Sequence, residues 1–484
     1  GFVWKDKTES LDNATSFVNY PFANKHIFEI PDKNIEVERW QFVPDNKEGI
    51  AIQLIIKNKG KDSQNFHIKF TGYSDLRPTW LGERTLMSDG HDHAHFVEEL
   101  GAWIMKDSLN PWVTIFGSDE VPMDHSTESS DYSGKGTGGS LTYKIAIPGK
   151  SDQVINFTIA GSYVSKEEAL TTYQDILDNR SEYLKSKKDR YKTLASKSRL
   201  TIPDKKMQET FEWLKYNCDW LVRTVPSIGT GITAGLPDYP WWFGVDSEYA
   251  LKGYMAVGQK EAVYSTIKLL DSISNTVNGN GRIVHEVSTN GAVFNKGNIN
   301  ETPQFASLIW NIYQWNGDKE FLKKYFPTIQ KGLEWLMEEN DTNHNLFPEG
   351  FGMMEIHGLD SEMIDVASYT QKAFADASKM AHELGKDVLA LQYEELAAEL
   401  KVKINKEFWS GEFNSYADFI GTDTQALKLI EDAIVRADTL KKPWAVTELQ
   451  NTKKSILSHP FNRPKPFVVY HNWVVNTPME MGIA

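Results

Sequence analysis

The chain has 484 residues, with 52 Lys and Arg against 66 Asp and Glu, and a net charge of −14. Its length suggests about three domain-equivalents of mass. Its acidity argues against a nucleic-acid backbone or an anionic membrane surface as the main partner. One cysteine excludes an intramolecular disulfide framework, and no apolar run reaches the roughly 18 residues of a membrane span.

Aromatic residues make up 12% of the sequence, including 15 Trp. Flat rings beside carboxylates are what a sugar-binding surface requires, although large cores also use Trp. The composition is therefore compatible with a carbohydrate-handling protein.

The first 160 or so residues predict strands. Segments with alternating, β-branched and aromatic residues occur at 35–43, 49–57, 64–70, 111–116, 139–147 and 153–160. Many short strands favour a β-sandwich, which we place at residues 1–164. A capping box at Ser165–Glu168 then opens a polar helix, and residues 165–200 are predicted to form a helical connector.

Beyond the connector, a 3.6-residue period predicts one helix after another. They are expected at about 204–222, 246–258, 260–277, 302–316, 318–339, 364–384, 387–407 and 424–441. Short loops between neighbours predict antiparallel pairs. We therefore expect residues 201–484 to form an α/α barrel, with a pocket built from helix-connecting loops at one end.

The loop at residues 235–247 contains three consecutive aromatic residues, Trp241, Trp242 and Phe243. They cannot easily all face a core from an extended loop, so we expect some to line a cavity. Asp246 beside such rings could bind sugar hydroxyls while the rings stack on the sugar. The alternative for Asp246 is a role as N-cap of the next helix.

Two further loops between helices carry carboxylates. The first ends in His285-Glu286, and the second contains Glu355, His357 and Asp360. Glycoside hydrolysis needs a carboxylic acid that stays protonated next to apolar groups, which the second loop could supply. Capping of the next helix by Asp360 is the alternative.

Residues 470–480 again combine aromatic residues, His471 and the carboxylate of Glu480. Trp473 lies near the start of a predicted terminal helix, where packing is the alternative role for it.

Two motifs resemble ligand sites without completing them. His91, His93 and His95 alternate as on one face of a strand, but no fourth zinc ligand is in sight. Residues 133–139 are rich in Gly but lack the G-K-[ST] order of a P-loop.

Residues 341–345, Asp-Thr-Asn-His-Asn, resemble the start of a calcium loop. The sixth position is Leu346 rather than Gly and the twelfth is Gly352 rather than Glu, so a turn between helices is favoured. No metal ion and no cofactor is predicted.

The loops together resemble those of one family. Residues 235–247 resemble the "AG-pW-FGRD" segment that opens the glucosidase part of glycogen debranching enzymes and related glucoamylase-like hydrolases, with Val245 in place of the usual Arg. Residues 301–305, with the Asn316-Gly317-Asp318 turn, are similar to their "DAtpwFl…TGD" stretch.

Two more motifs extend the resemblance over about 200–484. Residues 358–361, Gly-Leu-Asp-Ser, resemble the loop that carries the family's general acid. Residues 470–472 look like the start of "YHNGxVWP", with Trp473 in place of Gly. The β-rich leader is similar to the N-terminal sandwich of bacterial relatives.

The resemblance implies an (α/α)6 barrel, inversion of the anomeric centre and Asp360 as general acid. It also implies a non-reducing-end sugar subsite made by Asp246, Trp241 and Trp242. Eight helices are predicted where the barrel has twelve, so the barrel could be incomplete at its C-terminal end.

The family's general base follows the YHN motif, beyond Ala484; within this sequence Glu480 is the best candidate. Glu286 and Glu355 are interpreted as acceptors for substrate hydroxyls. The predicted substrate site is completed by Phe243, His357, His471 and Trp473.

The sequence therefore predicts an exo-acting, inverting glycoside hydrolase of oligo- or polysaccharides, an α-glucosidase of debranching or glucoamylase type. Other specificities on the same barrel remain open: an α-rhamnosidase, a mannosidase, a trehalase-like enzyme or a phosphorylase. A catalytically degenerate carbohydrate-binding protein is the alternative from another class. Because Gly1-Phe2-Val3-Trp4 is not a natural start, a signal peptide could have been removed, and a periplasmic or extracellular location is favoured over a cytoplasmic one.

Overall fold

The computed structural model describes residues 1–5, 7–129, 134–236, 239–354, 359–470 and 473–484. The chain divides into two compact units, Gly1–Tyr216 and Asn217–Ala484.

The first unit is built from antiparallel strands in two sheets. A five-stranded sheet has the order β11-β12-β7-β1-β2, and an eight-stranded sheet has the order β3-β4-β5-β6-β13-β10-β9-β8. The strands are β1 (Phe2–Val3), β2 (Thr8–Glu9), β3 (Ser16–Tyr20), β4 (Ala23–Ile30), β5 (Ile35–Phe42), β6 (Gly49–Asn58), β7 (Gln64–Ser74), β8 (Asp92–Val97), β9 (Ala102–Asp107), β10 (Val113–Ser118), β11 (Asp124–Glu128), β12 (Thr137–Ile147) and β13 (Asp152–Ser162).

Alternation along these strands places one face of each sheet in a shared core. Phe66 and Ile145 of the five-stranded sheet and Leu54 and Phe157 of the eight-stranded sheet belong to the same buried cluster. The unit is therefore sandwich-like, as the strand pattern predicts.

Helix α1 (Lys166–Ser196) packs through Ala169 and Tyr173 on a second apolar cluster of the eight-stranded sheet. One of the two hydrogen bonds of the predicted capping box is present: the Ser165 side chain accepts from the Glu168 N–H. The Glu168 carboxylate accepts from the Ser162 hydroxyl instead of completing the box.

The second unit is mainly helical. Helix α2 (Lys205–Trp220) leads into it, followed by α3 (Gly244–Ala256), α4 (Lys260–Val277), α5 (Glu301–Asn316), α6 (Lys319–Asn340), α7 (Ile364–Glu383), α8 (Asp387–Glu407), α9 (Asp423–Thr439), α10 (Pro443–Ser458) and α11 (Thr477–Glu480). Short strands lie between the helices: β14 (Val222–Val225), β15 (Gly229–Ile232), β16 (Trp242–Phe243), β17 (Glu286–Val287), β18 (Val293–Asn295), β19 (Glu349–Gly350), β20 (Ser361–Met363), β21 (Trp409–Ser410), β22 (Ser415–Tyr416), β23 (Phe419–Gly421) and β24 (Lys465–Phe467).

Helices α3 to α10 form consecutive hairpins. Loops of two or three residues join α3 to α4, α5 to α6, α7 to α8 and α9 to α10, and each pair packs together. Helices α3, α5 and α7 also contact one another in succession. Because the partners in a hairpin are antiparallel, the long connections at 278–300, 341–363 and 408–422 all lie at the end where α3, α5, α7 and α9 begin.

Three of these helices start at the end of a short strand: α3 directly after β16, α7 directly after β20, and α9 one residue after β23. The strands join into two small sheets, β16-β17-β18 and β19-β20-β23-β24. Strand pairing therefore fixes the long loops at one end of the hairpins, which is where the predicted site residues lie.

The order predicted from the sequence, a β-rich region followed by a helical domain, is confirmed. Helix α10 was not predicted, because it buries only Leu449 and Ile456 and so has no continuous apolar stripe. In the part of the chain that the structure describes, no helix is both long and apolar enough to cross a membrane.

Candidate active site

Two of the predicted loops meet in the sheet β16-β17-β18. Phe243 of β16 lies directly opposite Glu286 of β17 in antiparallel register. The Gly244 N–H, at the start of α3, donates to the His285 carbonyl oxygen at 2.8 Å. The aromatic loop and the His285-Glu286 loop are therefore joined at the start of α3, where Glu286 is half-buried.

The two tryptophans of the aromatic loop have no exposed surface. Trp242 packs in a cluster with Leu269 and Val287, and its indole N–H donates to the Gly231 carbonyl oxygen at 3.2 Å. Trp241 stacks on Phe294 with ring centroids 4.8 Å apart. Both rings are buried, so neither lines an open sugar subsite as was expected: Trp242 of β16 enters an apolar core, and Trp241 is covered by Phe294.

Phe243 is almost as buried, and its ring meets the edge of the His285 ring at a centroid distance of 5.9 Å. His285 Nδ1 lies 2.6 Å from Oε1 of Glu301, the first residue of α5. Glu301 is completely buried. A hydrogen-bonded His–Glu pair therefore links the residue before β17 to the start of α5.

Glu248, in the first part of α3, is also completely buried. Among the described residues, neither of its carboxylate oxygens has a hydrogen-bond partner. Burial, followed by the nearby charge of Glu301, raises the pKa of Glu248 well above its usual value. The folded protein therefore favours the protonated form of Glu248.

Asp246 lies at the third position of α3 and its side chain is exposed. The N-cap is Phe243, so the alternative capping role predicted for Asp246 is wrong. A carboxylate in the first turn still interacts favourably with the helix dipole. Its exposure leaves it accessible to a ligand.

Asp360 is exposed and directly precedes strand β20, which leads into α7. The N-cap of α7 is Met363, so neither Asp360 nor Ser361 caps the helix, and that alternative is wrong as well. Ser361 pairs with Gly350 across β19 and β20. Asp360 is therefore held at the edge of a hydrogen-bonded sheet rather than in the helix.

Asp365, in the first turn of α7, is a second carboxylate close by in sequence. It is completely buried, and its Oδ2 accepts a hydrogen bond from the Met353 N–H at 2.6 Å. Burial is the main cause that raises the pKa of Asp365 to about 6, and the hydrogen bonds from backbone N–H groups oppose it.

Glu480 comes from α11 and meets residues of α3 and α7. The Tyr249 hydroxyl donates to Glu480 Oε2 at 3.4 Å and lies 2.6 Å from the Tyr369 hydroxyl. Burial lowers the pKa of the Lys252 ammonium, while Glu248 and Glu480 raise it. The carboxylate of Glu480, the predicted base, therefore lies next to a polar cluster made by Tyr249 and Lys252 of α3 and Tyr369 of α7.

Trp473 is half-exposed at the start of a short 3₁₀ helix, Trp473–Asn476. The other predicted substrate-binding residues, Glu355, His357 and His471, lie outside the described residues.

Four residues of this region were not predicted from the sequence: Glu248, Asp365, Tyr249 and Tyr369. Asp365 interrupts the apolar run at residues 363–367 at a helix start, and that interruption is the signal that could have found it. Glu248 directly follows Asp246 and Ser247, so no comparable signal marks it. The tyrosines resemble ordinary core aromatics, because only the fold brings their hydroxyls together.

Comparison with known proteins agrees with this geometry. Residues 242–452 match the family model of the bacterial alpha-L-rhamnosidase six-hairpin glycosidase domain. The solved structure of a bacterial glucoamylase complexed with acarbose has a TM-score of 0.54 at 9% identity, and the match covers 82% of this chain and 59% of that chain. A protein assigned as a kojibiose phosphorylase, from the human microbiome, has a TM-score of 0.54 at 10% identity, covering 86% and 60%.

A curated relative from Borreliella burgdorferi, an uncharacterized protein, is 25% identical over 167 residues, which are 32% of this chain and 34% of the relative. The chain thus spans about a third of this relative and about three fifths of each solved structure.

The helical unit therefore has a fold consistent with that of a six-hairpin glycosidase domain. The fold is thus similar to that of a bacterial glucoamylase, and the sequence of residues 242–452 is similar to that of a glycosidase domain, in line with the family that the sequence motifs resemble.

Proposed function

We propose that the protein is an exo-acting, inverting glycoside hydrolase in which Asp360 is the general acid. The observation that carries this proposal is the position of Asp360, exposed at the end of the hairpins where the long loops gather and anchored by strand β20. Functional groups on strand ends are held more rigidly than groups in free loops. The family motif Gly-Leu-Asp-Ser supports the same residue.

In this proposal Asp360 donates its proton to the glycosidic oxygen while the bond to the anomeric carbon breaks. A water molecule attacks the opposite face of that carbon and loses a proton to a second carboxylate, so the configuration inverts. Asp246 and Glu286 are proposed as acceptors for sugar hydroxyls, because both belong to the segments joined at the start of α3.

Glu480 is the proposed water-activating base. Its carboxylate is exposed, and the hydrogen bond from Tyr249 constrains its orientation. The Tyr249–Tyr369 contact extends that constraint to α7, the helix that follows Asp360. Inversion requires an acid and a base on opposite faces of the sugar, about 6.5–9.5 Å apart, and in this proposal Asp360 and Glu480 take these two places.

An α-glucosidase of the debranching or glucoamylase type is the proposed specificity, which the likeness to the glucoamylase fold supports. The family model that matches residues 242–452 favours an α-rhamnosidase as the second candidate. The likeness to the assigned kojibiose phosphorylase favours a third, in which phosphate attacks the anomeric carbon in place of water.

The experiment is a panel of aryl glycosides and trehalose, assayed with and without inorganic phosphate, with the first-formed anomer followed by NMR. Turnover of an α-glucoside without phosphate, with release of the β-anomer, supports the proposal. Preference for the α-L-rhamnoside would assign the second candidate. Turnover that requires phosphate would assign the third candidate, a phosphorylase. Saturable sugar binding without turnover would identify a carbohydrate-binding protein instead.

A further inference from the structure

The turn that follows α6 is folded around the side chain of its first residue. The Asp341 carboxylate accepts hydrogen bonds from the N–H groups of Asn345 and Leu346, both at 2.9 Å. Leu346 has a φ of 74°, the left-handed region that a calcium loop assigns to Gly at this position. The substitution of Leu for Gly therefore does not prevent the loop conformation.

A pair of acidic residues lies beside this turn. Glu349 of β19 and Glu362 of β20 are directly opposite each other in antiparallel register. Like charges in that position repel each other. Among the described residues, no Lys, Arg or His forms an ion pair with either carboxylate, so the repulsion is not compensated by a protein cation there.

The turn and the acidic pair converge through asparagine side chains. The Asn343 amide lies 3.1 Å from Glu349 Oε1 and 2.8 Å from Glu362 Oε1. The Asn345 amide lies 2.8 Å from the same Glu362 oxygen. Thr342 also donates to Glu349. One carboxylate oxygen of Glu362 therefore accepts both amides, which concentrates polar groups of the turn on β20.

The other oxygen of Glu362, Oε2, points to a missing ligand independently of the turn. The Glu362 residue is only 4% exposed, and its Oε2 atom is buried without a hydrogen-bond partner among the described residues. A buried carboxylate oxygen with no partner is costly and needs a ligand, a water or an ion.

We propose that this cluster binds one calcium ion, through the carboxylates of Asp341, Glu349 and Glu362 and the amide oxygens of Asn343 and Asn345. Ca²⁺ takes six to eight oxygen ligands and tolerates irregular geometry, which suits this mixture better than the octahedral shell of Mg²⁺. In the described part of the chain, no three His, Cys, Asp or Glu side chains are grouped so that they could hold a metal ion as they stand. Calcium binding therefore requires the three carboxylates to move closer together around the ion, where the amide oxygens complete the set.

Binding requires the two amides to turn over. A half-turn about the last side-chain bond exchanges nitrogen for oxygen and presents the oxygen to the ion. It gives up the hydrogen bonds that the N–H groups of Asn345 and Phe347 donate to Asn343 and Asn345. The ion stabilises the result by joining the turn to β20, the strand between Asp360 and α7, and its role is therefore structural.

Calorimetric titration of the EDTA-treated protein with CaCl₂ tests the proposal. We expect one saturable site with a dissociation constant below about 1 mM, and a rise in Tm of a few °C at saturating calcium. Glu362→Gln should weaken binding at least tenfold. Glu248→Gln, which changes another buried carboxylate with an unpartnered oxygen in the same unit, should bind calcium like the parent protein.

Asn345→Asp provides a second variant in case Glu362→Gln does not fold. An added carboxylate should tighten calcium binding and lower the Tm in EDTA, since ligand charge sets affinity at oxygen sites. No saturable binding by the parent protein, unchanged binding by Glu362→Gln, or an equal Tm rise with MgCl₂ would each overturn the assignment.

Discussion

The Oδ2 atom of Asp365 accepts a hydrogen bond from the Met353 N–H at 2.6 Å, and this contact ties the long loop after α6 to the first turn of α7. The backbone of Gly352 approaches the same carboxylate so closely that a Cβ atom there would lie 2.5 Å from Oδ2. Asp365, which is completely buried, thus joins the chain before the proposed acid, Asp360, to the helix that follows it.

Asp365→Asn is expected to change how stability depends on pH. Because the folded-state pKa of Asp365 is raised to about 6, the folded protein disfavours the charged form. The cost of burying the charged carboxylate is absent at pH values below its unfolded-state pKa, about 4. This cost is complete at pH values above its folded-state pKa, about 6. The neutral Asn should therefore gain stability relative to Asp as pH rises from 4 to 7, by about 3 kcal/mol.

Urea unfolding of both proteins at several pH values measures this difference. Asp365→Ala is the control, because it leaves the Met353 N–H without an acceptor and should be destabilised at every pH. A constant difference between Asp365 and Asn from pH 4 to 7 would show that the carboxylate is not held in its neutral form.

Two neighbouring glycines should respond differently to a methyl group. Gly279 and Gly281 both have positive φ, 73° and 83°. A Cβ at Gly279 would have only the Asn275 carbonyl oxygen near it, at 3.8 Å, whereas at Gly281 it would overlap α6 at Gly332 and lie 2.5 Å from the Thr328 carbonyl oxygen. Gly279→Ala should cost about 1 kcal/mol, and Gly281→Ala about 3 kcal/mol or more.

Thermal unfolding of the two variants makes the comparison, with Gly279→Ala as the matched control for backbone strain. Equal losses of stability would mean that the approach of the loop to α6 is not tight.

The helices were predictable because their apolar residues recur with the helical period. The pattern predicts a helix over 318–339, and the structure has Lys319–Asn340, with Asp318 as N-cap accepting from the N–H groups of Glu320 and Phe321. Helix α7 was predicted at 364–384 and lies at Ile364–Glu383 for the same reason. The helical period does not predict a helix that buries few residues, as in α10.

The candidate site was less predictable, because its residues depend on pairing between distant loops. No local pattern shows that Trp242 enters a core whose members include Leu269 and Val284. Nor does the sequence show that the hydroxyls of Tyr249 and Tyr369, 120 positions apart, are in contact. The placement of Asp246 at the start of α3, and of Asp360 in the connection before α7, at one end of the hairpins was predictable from the order of helices alone.

The His285–Glu301 pair is expected to stabilise the loop end of the domain. His285→Ala would leave the buried Glu301 carboxylate without its imidazole partner, at a cost of about 3 kcal/mol. The double variant His285→Ala with Glu301→Gln should recover part of that loss, because no buried charge is left unpaired. Chemical denaturation measures both, and a double variant no more stable than His285→Ala would contradict the account.

Tyr249→Phe should separate a positioning role from a structural one. Loss of the hydroxyl frees the Glu480 carboxylate, so we expect kcat to fall about tenfold with little change in KM. Tyr369→Phe is the control, because it keeps the bond from Tyr249 to Glu480. Equal kcat values for the two variants, or a change confined to KM, would count against Glu480 as the base.

The most direct measurement compares Asp360→Asn with the parent protein on the aryl glycoside that the panel identifies, for both turnover and sugar binding. The account predicts that kcat falls by at least 10³-fold while the dissociation constant of the unreacted sugar changes less than threefold, because only the proton donor is lost. A kcat close to that of the parent protein would contradict Asp360 as the general acid.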